Sequence, residues 1–363
     1  MVVLQYIASP FWGGGEQYIH DLCATLKEQG KAEFVFICQP GSDNDLRVRF
    51  GRLGTVYTLA PQTKNGKFSY MEALRMASII RREKIDVLHA HDRKEFFLCA
   101  YAKRLSMRPV RLVSTLHLIV EKAKNKPSWL WVYRQIDTFL FVSQKAADAF
   151  LTDPEVRQSC RSVLVVRNSI RLYEQPREAL PETMPEALPI VLYHGRICPE
   201  KGIIQLLQAL EPGFKGHYTI TLAGEVAEES RDVLEELMHR SRLKGFLRYI
   251  GFRKDCGALI AQCRIGVLPS LVQEAASLAL LEHMAMGSAV IASNNGSQPE
   301  FVTNGKEAVL LPPGQWDEWE EAIEHLTSDE TEAIRMGQEA RKRYEKEFEY
   351  TKFVDTIYAV YKG

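Results

Sequence analysis

Short apolar runs rich in β-branched residues alternate along the chain with segments whose apolar residues recur every three to four positions. In the first half, the spacing at residues 16–28 and 70–83 predicts helices. Strands that are apolar throughout and alternate with helices indicate a parallel sheet covered on both faces. The runs that predict these strands are residues 2–7, 33–38, 55–59, 87–90, 111–116, 138–142 and 163–166.

The alternation stops at residues 172–188, a stretch with three prolines and four acidic residues, which we interpret as an interdomain linker. It then restarts, with helical spacing that includes residues 202–210 and 231–242. The second set of predicted strands is 190–194, 218–223, 247–250, 265–268, 289–292 and 308–311.

The fold class predicted from this order is α/β, with two doubly wound, Rossmann-like domains in series. We assign residues 1–171 to an N-terminal domain and residues 189–346 to a C-terminal domain. Ligands of such sheets bind at the carboxyl ends of the strands, so two facing sheets predict a cleft. The helical tract at 318–362 has no strand to support, and we expect its end, about 347–363, to pack back on the N-terminal domain.

Composition excludes several protein classes. A chain of 363 residues with 46% hydrophobic and 25% charged side chains is neither disordered, collagen-like nor a small disulfide scaffold. The 46 basic and 46 acidic residues cancel, which argues against a nucleic-acid binder held by bulk charge. The charges are unevenly distributed along the chain, because residues 1–180 carry a net charge of +9 and residues 181–363 carry a net charge of −9. The asymmetry indicates an anionic partner surface for the first half.

The positive excess is concentrated between residues 93 and 134, where ten Lys/Arg meet two Glu. One hypothesis is that lysines and neighbouring tryptophans meet the inner face of the cell membrane or a lipid-linked acceptor. The alternative is a charged loop leading into a helix that buries its tryptophans. The residues concerned are Lys122, Lys124, Lys126, Trp129 and Trp131.

The chain is expected to be cytoplasmic. Its seven cysteines are odd in number and form no C-x-x-C pair, which is typical of reduced thiols. No basic region precedes the first apolar stretch, and no apolar run approaches 18 residues, so neither a signal peptide nor a membrane span is predicted.

A glycine run follows the first predicted strand. Gly13, Gly14 and Gly15 allow close backbone approach, and a helix N-terminus directly after them offers free N–H groups to a phosphate. The spacing is neither G-x-G-x-x-G nor a P-loop. Phosphate contact and a plain flexible turn both remain open for this loop.

Two further sets of residues lie in the second half. Arg196 and Lys201, five residues apart across a proline turn, can converge on a diphosphate, or can simply be solvated. Glu274 and Glu282 lie on either side of a helix start predicted near residues 276–277. A carboxylate in an apolar helix needs donors such as sugar hydroxyls unless it reaches solvent.

With these residues in place, the chain resembles the family 4 glycosyltransferases, retaining GT-B enzymes that use nucleotide-sugar donors. The likeness runs in order over nearly the full length. It is carried by the glycine loop, D-x-[LIV]-H-x-H at 86–91, T-x-H at 115–117, Val-Ser at 142–143, G-R-x-x-x-x-K-G at 195–202, Leu-Ala-Gly at 222–224, Tyr-Ile-Gly-Phe at 249–252 and the E-x7-E of Glu274 and Glu282.

The resemblance implies roles for single residues. Arg196 and Lys201 would bind the donor diphosphate, Glu274 the donor-sugar hydroxyls and Glu282 the ribose. His117 would approach the sugar. The remaining donor-binding positions would be Gly14 and Gly15 at the phosphate, the backbone of Ser277 and Leu278 at the helix start, and the backbone near Phe252 and Arg253 at the base.

The implied activity is transfer of a sugar from a UDP- or GDP-sugar to a glycan or lipid-linked glycan in cell-surface polysaccharide assembly, without metal or other cofactor. Ala275 and Ser277 replace two glycines usual in the family and narrow the space beside the donor sugar. Two alternatives stay open: a nucleotide-sugar 2-epimerase of the same fold, and a degenerate, non-catalytic nucleotide-sugar binding protein. A metal pair at His89 and His91 lacks further ligand spacing.

Overall fold

In a computed structural model, the chain is described at residues 1–9, 12–42, 44–60, 69–172, 188–253 and 255–363. It divides into two compact units, one formed by Met1–Asn168 with Tyr350–Gly363 and the other by Ser169–Glu349. The sequence placed these divisions after residue 171 and near residue 347. Most of the linker expected at 172–188, namely 173–187, lies outside the described residues.

In the described part of the first unit, seven parallel strands form one sheet in the order β3-β2-β1-β4-β5-β6-β7. In the central register, Leu4 of β1 pairs with Val35 of β2 and Leu88 of β4. The strands are β1 (Val2–Ile7), β2 (Glu33–Cys38), β3 (Gly54–Thr58), β4 (Val87–Ala90), β5 (Arg111–Leu116), β6 (Thr138–Phe141) and β7 (Val163–Val165).

Helices cover both faces of this sheet, and serine caps fix where two of them begin. The Ser69 hydroxyl accepts the backbone N–H of Glu72 at 3.4 Å, and the Ser143 hydroxyl accepts that of Ala146 at 3.3 Å. The helices are α1 (Gly14–Glu28), α2 (Asn44–Gly51), α3 (Tyr70–Arg82), α4 (Phe96–Ser106), α5 (Pro127–Tyr133), α6 (Gln144–Phe150) and α7 (Pro154–Ser159), with a 3-10 turn at Arg93–Glu95.

In the described part of the second unit, six parallel strands follow the order β10-β9-β8-β11-β12-β13. They are β8 (Ile190–His194), β9 (Thr219–Ala223), β10 (Leu247–Tyr249), β11 (Ile265–Leu268), β12 (Ala289–Ser293) and β13 (Val309–Leu311). The helices are α8 (Ile203–Leu210), α9 (Glu228–Arg240), α10 (Cys256–Ile260), α11 (Leu278–Met286), α12 (Gln298–Phe301), α13 (Trp316–Ser328) and α14 (Glu330–Glu347), with 3-10 turns at Pro199–Lys201 and Glu211–Gly213.

The last helix, α15 (Tyr350–Lys362), belongs to the first unit although it follows the second in the chain. Phe353, Val354 and Ile357 are buried in the same apolar cluster as Leu22 and Leu26 of α1. This return of the C-terminal helix was predicted because no strand remains for the tract to support.

Both sheets reverse their strand order at one place. The reversal lies between β1 and β4 in the first unit and between β8 and β11 in the second. Loops that leave neighbouring strands in opposite directions open a crevice there, where ligands of doubly wound folds bind. Among the described helices, none has the length and apolar character needed to cross a membrane.

Candidate active site

The loops after β8 and β11 touch backbone to backbone at Gly202. Its φ of +70° is in the left-handed region, and a Cβ there would lie 2.1 Å from the carbonyl oxygen of Pro269. Nearby, the N–H of Leu271 donates to the carbonyl of Glu200 at 2.9 Å. Only glycine fits this contact, which places the preceding residue, Lys201, beside the loop that follows β11.

Lys201 and Glu274 form an ion pair. The Nζ atom lies 2.5 Å from Oε1 of Glu274, to which the hydroxyl of Ser270 also donates at 2.8 Å. The Glu274 carbonyl accepts the N–H of Ser297 at 2.8 Å, so the loop after β12 holds the backbone. Three adjacent loops therefore fix one carboxylate and one ammonium at the strand reversal.

Sequence reasoning missed Ser270 and Asn295, which support Glu274. The Asn295 amide donates to the carbonyls of Ser270 and Val272, both at 3.0 Å, and so ties the β11 loop to the β12 loop. Neither residue carries a local pattern that marks it, because its partner is fixed only by the sheet order.

Arg196 stands apart from this pair. Its side chain is 62% exposed, and Nη2 lies 4.0 Å from a carboxylate oxygen of Glu200. Its backbone carbonyl accepts the hydroxyl of Tyr193 at 2.7 Å, which fixes the loop, and most of the Arg196 side chain remains exposed. Within the described residues, the structure does not bring Arg196 into contact with Lys201 or Glu274.

Helix α11 begins next to Glu274. Ser277 is its N-cap, and the hydroxyl accepts the N–H of Leu280 at 3.3 Å. Leu278 is the first helical residue, so the first-turn N–H groups that lack intrahelical partners lie at the sheet edge that carries Glu274. The serine that replaces a glycine of the family thus acts as a helix cap.

Glu282, on the second turn of α11, has a protein donor that the sequence did not reveal. Its Oε2 lies 3.3 Å from Nδ1 of His194, the last residue of β8. Burial lowers the pKa of His194 to about 4, so the neutral ring donates Nδ1–H to the carboxylate near pH 7. The Glu282 side chain keeps 30% of its surface exposed.

Cys256 completes the one described group whose atoms could hold a metal. One ligand atom each of His194, Cys256 and Glu282 lies within 4.8 Å of the others. Burial, reinforced by the charges of Glu282 and Asp255, raises the pKa of the Cys256 thiol.

The two residues expected near the nucleotide base differ in how exposed their side chains are. Phe252 is 50% exposed. The Arg253 guanidinium forms a fork with Asp255, at 2.7 Å from Nε to Oδ1 and 2.6 Å from Nη2 to Oδ2. Its side chain is 11% exposed, so this contact engages and buries it.

The other predicted residues lie in the first unit. Gly14 and Gly15 are the first two residues of α1, which begins before the predicted start at residue 16. A Cβ at Gly15 would meet nothing within 4 Å, so space is left around the backbone. Of the glycine loop, Pro10 and Phe11 lie outside the described residues.

His117 follows β5 and is half-buried. Its Nε2 lies 3.1 Å from Nδ1 of His91, and its ring meets that of Tyr18 edge-on with centroids 4.8 Å apart. Burial lowers the pKa of His117 to about 4.

The tryptophans of the basic segment pack on the protein. Trp129 meets Phe97 edge-on, and Trp131 lies against Tyr101, each with ring centroids 4.8 Å apart. Lys124 Nζ lies 4.8 Å above the Trp129 ring. Both tryptophans are half-buried against the core, so the segment is a charged loop leading into a helix that packs its tryptophans inward.

Two Rossmann-like units in series define the class of the fold, and comparison with known proteins agrees. The crystal structure of Anabaena HepE (Alr3699) in complex with UDP and glucose matches with a TM-score of 0.78 at 20% identity, over 99% of both chains. The sequence profile described as "Glycosyltransferase Family 4" matches residues 12–162, and "Glycosyl transferases group 1" matches residues 176–343.

Curated relatives of the chain are named as glycosyltransferases. An MMP α-(1→4)-mannosyltransferase of Mycolicibacterium hassiacum is 28% identical over 64% of this chain and 55% of its own. A UDP-Gal:α-D-GlcNAc-diphosphoundecaprenol α-1,3-galactosyltransferase of Escherichia coli is 23% identical over 79% of this chain and 78% of its own. The chain spans about half the length of the relatives that it matches at 28–30% identity. It belongs to glycosyltransferase family 4 and has the GT-B fold.

Proposed function

We propose that the protein is a retaining, metal-independent hexosyltransferase that moves a sugar from a nucleotide diphosphate sugar to a glycan or lipid-linked glycan. The observation that carries the proposal is the Lys201–Glu274 pair beside the N-terminus of α11, at the strand reversal of the second unit. Lys201 and the free N–H groups of the helix suit a diphosphate, and the fixed carboxylate of Glu274 suits the sugar joined to it.

The diphosphate is the leaving group. The bond from the anomeric carbon to the phosphate oxygen breaks, and one from that carbon to the acceptor oxygen forms on the same face. The acceptor hydroxyl proton passes to the departing phosphate. Lys201, the exposed Arg196 and the first turn of α11 would stabilise the charge that develops on this phosphate. No metal is needed for this stabilisation.

Glu274 and Glu282 would hold the two ends of the donor. Glu274 accepts from Ser270 and Lys201 through the same oxygen, Oε1, and its second oxygen suits a sugar hydroxyl. Glu282 lies 3.3 Å from Nδ1 of His194, and its side chain keeps 30% of its surface exposed to receive a ribose hydroxyl. Neither glutamate is assigned to attack the sugar.

The named relatives support the class of substrate. The solved HepE holds UDP and glucose, and the Escherichia coli relative is named for a UDP-galactose donor and a diphosphoundecaprenol acceptor. We therefore propose a UDP- or GDP-sugar as donor, a glycan or lipid-linked acceptor, and a place in polysaccharide assembly. A cytoplasmic location, with the exposed lysines of residues 122–126 towards an anionic membrane, is part of the same proposal.

A panel of UDP- and GDP-sugars, incubated in EDTA with and without candidate glycan acceptors, tests the proposal. We expect nucleotide release and a new glycosidic product only when an acceptor is present, with the anomeric configuration of the donor kept. Conversion of the donor sugar without acceptor would instead identify the 2-epimerase. Donor binding, detected as a rise in Tm, without turnover in any mixture would identify a non-catalytic binding protein.

A further inference from the structure

Three side chains of the second unit bring a nitrogen, a sulfur and an oxygen ligand together. They are His194, Cys256 and Glu282, which we call the metal triad, and one ligand atom of each lies within 4.8 Å of the others. The function proposed above assigns a ligand to Glu282 alone. His194 and Cys256 therefore leave a chemical capacity that the proposed reaction does not use.

The fold of the second unit alone fixes the metal triad. His194 is the last residue of β8, Cys256 is the first residue of α10, and Glu282 lies on the second turn of α11. Helix α10 packs against both β8 and α11. The His194 side chain is 6% exposed, and its ring lies against that of His283 with centroids 5.2 Å apart, so the imidazole is held in one place.

The distances within the triad are close to those of a zinc site. Zinc bonds of about 2.0–2.3 Å in a tetrahedron place the ligand atoms about 3.3–3.6 Å apart. Nδ1 of His194 and Oε2 of Glu282 already lie at 3.3 Å. The Cys256 sulfur, within 4.8 Å of its partners, would approach by no more than about 1.2 Å. Its thiol donates to the carbonyl of Arg253 at 3.7 Å, a weak hydrogen bond that does not hold the sulfur in place.

The donor set selects zinc among the common divalent cations. Thiolate and imidazole are ligands of zinc, whereas magnesium and calcium take oxygen ligands. When zinc binds, the Cys256 thiol forms a sulfur–zinc bond and gives its proton to solvent, with no change of oxidation state. The thiolate and the Glu282 carboxylate then carry two negative charges, which balance the ion. Arg253, whose charge acts on the Cys256 thiol, is itself paired with Asp255.

We propose that the metal triad binds one zinc ion, which competes with the nucleotide for Glu282. The Glu282 side chain is 30% exposed, so the ion reaches the triad from solvent, and water completes the coordination. A carboxylate bound to zinc no longer accepts a ribose hydroxyl, so zinc inhibits a transfer that itself needs no metal. The zinc site stands on the second unit alone, whereas the competition rests on the proposed function, which gives Glu282 the ribose.

Titration of the full-length protein with cobalt(II) tests the site without nucleotide, because cobalt occupies zinc sites and absorbs in the near ultraviolet when a thiolate binds it. We expect one equivalent of cobalt to give this band, zinc to remove it, and excess magnesium to leave it unchanged. Cys256→Ser should abolish the band. Cys263→Ser, which changes another half-buried cysteine just after the same helix, is the matched control and should keep it.

Absence of the band from the wild-type protein would overturn the zinc site, and so would a band that persists in Cys256→Ser or is lost in Cys263→Ser. His194→Gln is the second variant, used if the Tm shows that Cys256→Ser does not fold. It keeps the thiol, and we expect it to bind zinc about tenfold or more weakly, measured by competition with a chromogenic chelator. Wild-type zinc affinity in folded His194→Gln would contradict the triad.

Calorimetric titration of UDP and GDP, in zinc and in EDTA, tests the competition at Glu282. Zinc also binds a free diphosphate, so the comparison is between variants that meet the same zinc and nucleotide. We expect zinc to weaken nucleotide binding more in wild type and Cys263→Ser than in Cys256→Ser. An equal effect in all three would overturn the competition. If the cobalt band appears as expected but neither nucleotide binds in EDTA, the proposed function fails while the zinc site stands.

Discussion

The ion pair between Lys201 and Glu274 is arranged to be broken by a ligand. The two side chains are 35% and 18% exposed, and pairs of partly exposed charges contribute only about 0–1 kcal/mol. A donor phosphate can therefore attract the ammonium at little cost. Ser270 continues to hold the carboxylate after the ammonium moves, so Glu274 stays in place for a sugar hydroxyl.

The close contact at Gly202 should be essential for placing Lys201. An alanine at Gly202 would direct its Cβ at the carbonyl of Pro269, whereas Gly245, with a φ of +83°, has nothing within 4 Å. Both substitutions carry the left-handed strain of about 1–2 kcal/mol. We expect Gly202→Ala to lower turnover about tenfold or more and to cost more free energy of unfolding than Gly245→Ala, measured by urea denaturation.

Since both glycines have positive φ, Gly245→Ala is the matched control for strain alone. Equal losses of stability in the two variants, with full activity in both, would show that the contact with Pro269 does not position Lys201.

At the residue scale, sequence reasoning found charged side chains and missed the groups that hold them. Glu274 and Lys201 were predicted from a family pattern, and the structure brings them together across 73 positions of sequence. His194 and Ser270 carry no such pattern, because their partners are fixed only by the sheet.

At the scale of elements, buried strands were predicted within one residue of their bounds because they are apolar on both faces. Helical boundaries were less clear. The tract 318–362 was treated as one segment, but α13 ends at Ser328 and α14 begins at Glu330. The Asp329 side chain accepts the N–H of Glu332 at 3.0 Å, and this cap was visible in the sequence as D-x-x-E.

The segment before α5 also belongs to this scale. Because Trp129 and Trp131 pack inward, only the lysines remain for an anionic surface, and binding should be electrostatic and lost at high salt. In liposome flotation with anionic lipid, we expect Lys122/Lys124/Lys126→Glu to be recovered less than wild type. Equal recovery of the two would remove the membrane from the proposal.

At the scale of the whole molecule, the neutral formal charge conceals two different halves. The acidic half contains the unit proposed to bind a diphosphate, so the attraction must come from a few local cations and a helix N-terminus rather than from the general field. The basic half contains the lysine segment at residues 122–126. The net charge of the chain therefore excludes few classes of ligand. The local arrangement of charged groups determines which ligand binds.

Both units were predicted as doubly wound sheets because alternating apolar strands and helices permit few other topologies. The identities of the base, the sugar and the acceptor were not predicted. The patterns that resemble family 4 indicate where a diphosphate and a sugar would bind, but not which base, sugar or acceptor is used. Ala275 and Ser277, which stand where the family usually has glycines, are predicted to narrow the space beside the donor sugar, but they do not identify the sugar.

The central claim is that Lys201 binds the diphosphate of the donor, and calorimetric titration of UDP and GDP into the protein tests it most directly. Loss of a hydrogen bond to a charged group costs about 1.5–3 kcal/mol, so Lys201→Ala should weaken the binding of the preferred nucleotide about tenfold or more. Lys244→Ala, an exposed lysine just before β10, should bind it with wild-type affinity. Wild-type affinity in Lys201→Ala would contradict the account.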